Sequence, residues 1–156
     1  IRVCVKSTYN KKQINYLNFL DAVSHKVETV MNDSYLNADS VCKGLKLLRE
    51  HNPDDWLYVI LDNAAYQHCK KVKDFAAAMN IHLIFLPPYS PNLNLIERLW
   101  KFLRSKILAN KYYSSFRNFF DSIHDFLSNI HLHFQDELSS LLTFNFQCLD
   151  ANTCLI

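Results

Sequence analysis

The spacing of apolar residues predicts strands in the first part of the chain and a helix after them. Short apolar segments with partial alternation occupy residues 2–6, 13–23 and 26–31, with polar residues between them. Such segments are typical of antiparallel strands joined by hairpins. The apolar positions beyond them recur at helical spacing, and Asp39 or Ser40 stands where a helix N-cap is expected. We therefore predict an antiparallel meander followed by a helix.

Two continuous apolar runs follow, WLYVIL at 56–61 and IHLIFL at 81–86, with a helical pattern at about 67–79 between them. Apolar runs of this length, bounded by polar residues, are typical of strands that are buried on both faces. A strand–helix–strand connection places the two strands parallel in one sheet. The pattern therefore predicts a parallel pair of fully buried strands.

Helical spacing dominates the rest of the chain. It predicts a long helix at about 94–109, an aromatic-rich amphipathic helix at 115–130 and a short helix near 138–142. Apolar stripes of this kind are far more often core than ligand sites. Residues 147–156 show no pattern, and we expect them to form a loosely ordered tail after a single domain of residues 1–146.

The predicted order of elements indicates a mixed α/β architecture. The 156 residues, 49% of them hydrophobic and 21% charged, suffice for one globular core. No apolar run is long enough to cross a bilayer and the N-terminus does not resemble a signal peptide, so a cytoplasmic protein is the default expectation. The formal net charge of +2 is too small to indicate a nucleic-acid partner by itself.

The cysteines and histidines do not predict a disulfide framework or a zinc site. The five cysteines are odd in number and none forms a CxxC pair, and the seven histidines are scattered. We interpret them as reduced thiols and as surface or packing histidines. The candidate catalytic or metal-binding residues must therefore be of other types than cysteine and histidine.

Two carboxylates stand where an α/β sheet usually carries its chemistry. Asp62 directly follows the first buried strand, and ligand sites gather at the carboxyl ends of such strands. Glu97 lies near the start of the 94–109 helix, with 34 residues between the two acids. Both also have a purely structural interpretation, since Asp62 can belong to a turn and Asn94 with Glu97 fits a capping box. Carboxylates on rigid elements suit magnesium, but a pair of acids alone is weak evidence.

The sequence around these acids resembles a known family. LDNAAYQH at 61–68 and FLPPYSPNLNLIERLWKFLRSKI at 85–107 are similar to the DDE transposases of the mariner-like superfamily, in particular to their bacterial insertion-sequence members. The resemblance runs over nearly the whole chain and is sharpest at 56–112. The chain departs from the family at Leu95, where members often carry proline, which is favourable at that helix position but not required.

The resemblance implies a ribonuclease-H-like catalytic core, a mixed sheet flanked by helices, in which Asp62 and Glu97 are the second and third members of a catalytic triad. The family's first aspartate belongs to a strand expected before Ile1, so we predict that this chain lacks the first strand, its acid and the family's N-terminal helix-turn-helix domain. Asp21 is the one tempting substitute in a strand-like segment. Its surroundings resemble the second or third strand of the family, so we do not expect it to bind metal.

For the intact protein, the resemblance implies metal-dependent cleavage of transposon ends and strand transfer into target DNA, with two Mg²⁺ or Mn²⁺ ions at Asp62 and Glu97. The implied partners are DNA and further copies of the protein, with no membrane, and the implied location is the bacterial cytoplasm at the nucleoid. The candidate DNA contacts lie beside the carboxylates or along the helix that follows: Asn63, His68, Tyr89, Arg98, Lys101 and Arg104.

Two other functions stay open at this point. A chain without the first aspartate fits an inactive remnant of a transposase. The fold also fits another ribonuclease-H-like nuclease, such as a resolvase or a ribonuclease, although the PPYSPNLNLIE motif at 87–97 argues against it. Metal-dependent strand transfer distinguishes the three, because only a transposase yields joined DNA.

Overall fold

Strands and helices follow one another in the predicted order. The computed structural model describes residues 2–4, 13–32, 35–62, 64–88, 90–109 and 111–146. The strands are β1 (Arg2–Cys4), β2 (Gln13–Leu20), β3 (Val27–Asn32), β4 (Leu57–Leu61) and β5 (Ile81–Phe85). The helices are α1 (Ala38–His51), α2 (Lys70–Ala78), α3 (Leu95–Leu103), α4 (Phe116–His133) and α5 (Gln135–Leu141). A 3₁₀ turn at Pro91–Leu93 precedes α3, and a π-helical turn at Arg104–Leu108 follows it.

The first three strands form the predicted antiparallel meander, in the order β1-β2-β3, with Leu17 opposite Val30. Asp21 closes the β2–β3 hairpin. Its carboxylate accepts hydrogen bonds from the N–H groups of Val23 and Ser24 at 2.8 and 3.1 Å and from the Ser24 hydroxyl at 2.7 Å. Burial raises the pKa of Asp21, but these hydrogen bonds outweigh burial and lower it overall. Asp21 is therefore a turn-forming residue in this structure.

The prediction of a parallel strand pair is confirmed. β4 and β5 run parallel, with Leu61 opposite Phe85, and α2 forms the crossover between them. Among the described residues no ladder joins this pair to the antiparallel sheet. The two sheets instead share a core, because Phe19 of β2 belongs to the same buried cluster as Val59 of β4.

Two buried clusters lie on opposite sides of β2. One contains Tyr16 with residues of α3, α4 and α5, and the other contains Phe19 with residues of α1, α2, β4 and β5. Side chains an odd number of positions apart in a strand point to opposite faces, so helices cover both faces of β2. Trp100 of α3 is 4% exposed and lies in the first of these clusters. The buried residues of α4 follow the predicted stripe: Phe119, Ile123, Phe126, Leu127 and Ile130.

The prediction that β4 and β5 are buried on both faces is wrong. Val59 and Leu61 are buried, but Tyr58, Ile60 and Ile84 are 62%, 56% and 46% exposed. The reason is that α1 and α2 pack on one face of this strand pair, and no element in the described part of the chain packs on the other. The apolar pattern shows that both faces suit burial, but it does not show what covers them.

The helix ends also differ from the prediction. α1 is capped by Asn37 instead of Asp39 or Ser40. The Asn37 side chain accepts a hydrogen bond from the Ser40 N–H at 3.0 Å, and the Ser40 hydroxyl accepts one from the Asn37 N–H at 3.4 Å. These reciprocal bonds form a capping box, so Ser40 is its second half. None of the helices in the described residues has the length and hydropathy that a bilayer crossing requires.

Candidate active site

Asp62 emerges from the sheet immediately after β4. Leu61 before it is buried, whereas Asp62 is exposed. The strand therefore fixes the backbone while the carboxylate meets solvent. Within the described residues, nothing donates a hydrogen bond to this carboxylate or pairs with its charge. Its oxygen atoms are thus available to a ligand.

Tyr66 is a neighbour of Asp62 that the sequence analysis misses. Burial raises the pKa of the Tyr66 phenol, the negative charge of Asp62 raises it further, and a hydrogen bond with Gln67 lowers it by less. The phenol therefore stays protonated at neutral pH and retains its capacity to donate a hydrogen bond. Its position, four residues after Asp62 within the LDNAAYQH motif, is the signal that could have identified it.

The ends of β4 and β5 stay together beyond their last paired residues. The Leu86 N–H donates to the Leu61 carbonyl at 2.9 Å, so the segment after β5 leaves the sheet next to Asp62. Prolines at 87–88 then restrict the backbone of that segment. The chain therefore reaches α3 from the same end of the sheet that carries Asp62.

Glu97 occupies the first turn of α3. Asn94 is the N-cap, because its side chain accepts from the Ile96 N–H at 3.2 Å and its carbonyl accepts from the Glu97 N–H at 3.1 Å. This confirms the predicted cap, but the described residues lack the reciprocal bond of a capping box, from the Asn94 N–H to the Glu97 carboxylate. The half-buried Glu97 carboxylate therefore has no partner among the described residues.

The two acids offer part of what a divalent cation needs. Hard cations prefer oxygen ligands, and Asp62 and Glu97 both present carboxylates without protein partners on well-anchored segments. The described part of the chain contains no group of three His, Cys, Asp or Glu side chains arranged to hold a metal ion. Within the described residues the two carboxylates are thus free to bind a cation, but they do not form a complete metal site.

His68 packs against β5. Its ring stacks on Phe85 with 3.8 Å between the ring centroids, and its buried Nε2 has no hydrogen-bond partner among the described residues. The neighbouring Gln67 is buried too, and its Oε1 also lacks a described partner. The structure thus places the His68 ring against β5, with one ring nitrogen unpaired within the described residues.

The basic candidates lie in different environments. The Arg98 guanidinium donates three hydrogen bonds of 2.8–3.3 Å to backbone carbonyls in the segment 141–145, so it holds the chain after α5 against α3. Lys101 and Arg104 are exposed and form no ion pair with the described residues. They remain available to phosphates, whereas Arg98 is already engaged. The last two candidates, Asn63 and Tyr89, lie outside the described residues, as does the predicted tail 147–156.

Comparisons with known proteins agree with this fold. The crystal structure of the catalytic domain of Mos1 mariner transposase is similar with a TM-score of 0.61 at 13% sequence identity, covering 91% of this chain and 76% of that one. The Mos1 transposase paired-end complex with the left transposon end gives a TM-score of 0.64 at 15% identity, covering 88% of this chain and 44% of that one. These similarities concern the fold, and they confirm the ribonuclease-H-like architecture.

The sequence comparisons identify the family. An uncharacterized protein of Sinorhizobium fredii (strain NBRC 101917 / NGR234), y4pE/y4sA, is 40% identical over 58 residues, which make up 37% of this chain and 41% of that protein. The matched segment thus covers less than half of this relative, and this chain covers less than half of the Mos1 chain in the paired-end complex. A family model described as DDE superfamily endonuclease matches residues 2–119. Since this match covers most of the chain, the protein belongs to the DDE superfamily endonuclease family.

Proposed function

We propose that this chain is the catalytic core of a DNA transposase, which cleaves DNA and joins it to a target with the help of divalent cations. One observation carries the proposal. Asp62 and Glu97 present carboxylates without described partners, one directly after β4 and one in the first turn of the helix that follows β5, and both lie inside the range matched by the endonuclease family.

Asp62 and Glu97 would hold the metal, Mg²⁺ or Mn²⁺, because carboxylate oxygens are the ligands that such cations prefer. Structures of the Mos1 transposase catalytic domain with Mg and with Mn support this choice. Divalent cations bound at such acids stabilise the charge that develops on a phosphodiester and lower the pKa of water. A complete site of this kind needs at least one further ligand besides Asp62 and Glu97.

Other side chains suit the handling of DNA. Tyr66, kept protonated beside Asp62, can donate a hydrogen bond to a phosphate oxygen or to water. Lys101 and Arg104 extend into solvent from the helix that carries Glu97, where they can contact phosphates. We therefore propose transposon ends and target DNA as partners, a homo-oligomer as the working form and the bacterial nucleoid as the location.

The test replaces each acid by its amide in the full-length protein, as Asp62→Asn and Glu97→Gln. Each change removes one metal-binding charge at nearly constant size, so we expect joining to fall by at least about a hundredfold, since metal contacts contribute several kcal/mol. DNA affinity is expected to change little. A strand-transfer assay with labelled transposon-end DNA and Mg²⁺ measures joining, and a gel-shift assay measures binding.

Asp74→Asn is the matched control, because Asp74 is an exposed acid of α2 that has no partner among the described residues. Joined products from the wild-type protein support a transposase. Cleavage without joining would identify another nuclease of this fold, and neither product would identify an inactive remnant. Normal joining by Asp62→Asn or Glu97→Gln would overturn the assignment of the site.

A further inference from the structure

One edge of the parallel strand pair is open. β5 pairs with β4 on one side, and no described strand pairs with it on the other. The Leu86 N–H points toward β4, because it donates to Leu61. Backbone groups alternate in direction along a strand, so those of Ile81, Leu83 and Phe85 point to the open side. There they have no hydrogen-bond partner within the described residues.

The open edge lacks the features that usually block strand pairing. The β5 sequence, IHLIF, contains no proline, lysine or acidic residue, whereas exposed edges commonly carry such residues. A groove of about 920 Å³ runs beside this edge, between β5 and α2. Three consecutive alanines, at 76–78, line the α2 side of the groove. Their small side chains leave room for another strand.

An exposed apolar patch adjoins the same edge, on the face of the strand pair that no described helix covers. Trp56 is 79% exposed, and Tyr58, Ile60 and Ile84 are exposed beside it. The His82 ring stacks on the rings of Tyr58 and Trp56, with centroids 5.1 and 6.0 Å apart. His82 and Ile84 of this patch belong to β5, so a strand that pairs with β5 would lie against their side chains.

Charges of opposite sign mark the two ends of the groove. Asp54 and Asp55 line the end beside the start of β5, together with Arg49, whose guanidinium is bound to backbone carbonyls there. Lys73 lines the other end, where its ammonium lies 5.7 Å from the centroid of the Phe85 ring. Asp54, Asp55 and Lys73 form no ion pair with the described residues. An antiparallel second copy of the same groove would present these charges in reverse order, so that lysine meets acid at both ends.

We propose that two copies of this chain associate by antiparallel pairing of their β5 strands, across a two-fold axis at Leu83. Ile81 of each copy then lies opposite Phe85 of the other, so every open backbone group at this edge gains a partner. The two apolar patches join into one surface on the combined sheet. Each Lys73 meets the acidic end of the second copy, and the two-fold symmetry forms every contact twice. The proposal does not depend on the nuclease chemistry.

The test measures the association of the chain by sedimentation velocity over a concentration series in the micromolar range. We expect the wild-type chain to dimerise. Lys73→Glu is expected to raise the dimer dissociation constant at least about tenfold, because one substitution places like charges at two symmetric contacts. Ile84→Lys, which puts a charge on the exposed face of the edge strand, is expected to have the same effect. Combining Lys73→Glu with Asp54→Lys and Asp55→Lys should restore dimerisation.

Lys43→Glu is the matched control, because Lys43 is an exposed lysine of α1 that does not line the groove. It changes the net charge equally and should leave the dimer intact. Circular dichroism establishes that each variant is folded. A wild-type chain that stays monomeric throughout, or a dimer that persists in both Lys73→Glu and Ile84→Lys, would overturn the proposal. Failure of the charge swap to restore the dimer would exclude the antiparallel register.

Discussion

Tyr16 combines deep burial with an unused polar group. The residue is 3% exposed in the core beneath α3–α5, yet its hydroxyl has no hydrogen-bond partner among the described residues. Burying a hydroxyl without a partner costs about 1–3 kcal/mol. We therefore predict that Tyr16→Phe raises the free energy of unfolding by about 1 kcal/mol. Urea unfolding at neutral pH measures this free energy, and a loss of stability in Tyr16→Phe would show that the hydroxyl does form a hydrogen bond.

The same residue predicts a dependence on pH. Burial raises the pKa of Tyr16 from 10.0 to about 12 in the folded protein. The tyrosine of the unfolded chain therefore ionises first as the pH rises. The contribution of the neutral phenol to the free energy of unfolding is complete below pH 10 and is lost as the pH rises toward 12. Between these values, wild-type stability should fall more steeply than that of Tyr16→Phe. Unfolding curves across this interval, compared for the two proteins, provide the measurement.

Gly44, the chain's one glycine, lies inside α1 and is buried. A Cβ added there would come within 3.0 Å of three atoms of the Phe19 ring. Although alanine usually stabilises a helix relative to glycine, this overlap should make Gly44→Ala destabilising by about 1–3 kcal/mol. Thermal unfolding measures the effect, and Lys43→Ala is the control at an exposed neighbouring position. Adding Phe19→Leu, which removes the ring, should recover part of the loss; no recovery would contradict the steric explanation.

Arg49 connects the end of α1 to two other segments of the chain. Its guanidinium donates to five backbone carbonyls in the segments 52–55 and 79–80, at 2.8–3.2 Å. Lysine has no planar fork and cannot reproduce this set of bonds. We expect Arg49→Lys to lower the free energy of unfolding by about 2–3 kcal/mol, measured by urea unfolding at low protein concentration. Lys46→Arg, an exposed change on the same helix, is the control, and an equal effect of both changes would contradict this explanation.

The order and type of the elements could be predicted from the sequence, because apolar periodicity distinguishes strands from helices. The helix ends could be predicted less well, since Asn37, Asp39 and Ser40 are all good capping residues and only the folded backbone selects among them. The burial of β4 and β5 could not be predicted either. Tyr58 and Ile84 are apolar in an exposed position, and the pattern cannot distinguish a face covered by a helix from one open to another molecule.

For the whole molecule, the sequence located the two acids but not their surroundings. Asp62 and Glu97 could be found because each follows a recognisable local pattern, a strand end and a helix start. Tyr66 was not predicted because only the folded structure brings its phenol close enough to Asp62 to sense the negative charge. Arg98 and Lys101 look alike in sequence, and only the return of the chain at 141–145 separates an engaged cation from an exposed one.

The hydrogen bond from the Leu86 N–H to the Leu61 carbonyl also makes this amide a reporter of motion. Its hydrogen can exchange with deuterated water only when the ends of β4 and β5 separate. The exchange rate at Leu86 therefore reports how often the sheet opens at the end that carries Asp62. A cation that binds at Asp62 and Glu97 would suppress those openings and slow the exchange, so metal binding is readable at a single backbone position without any DNA present.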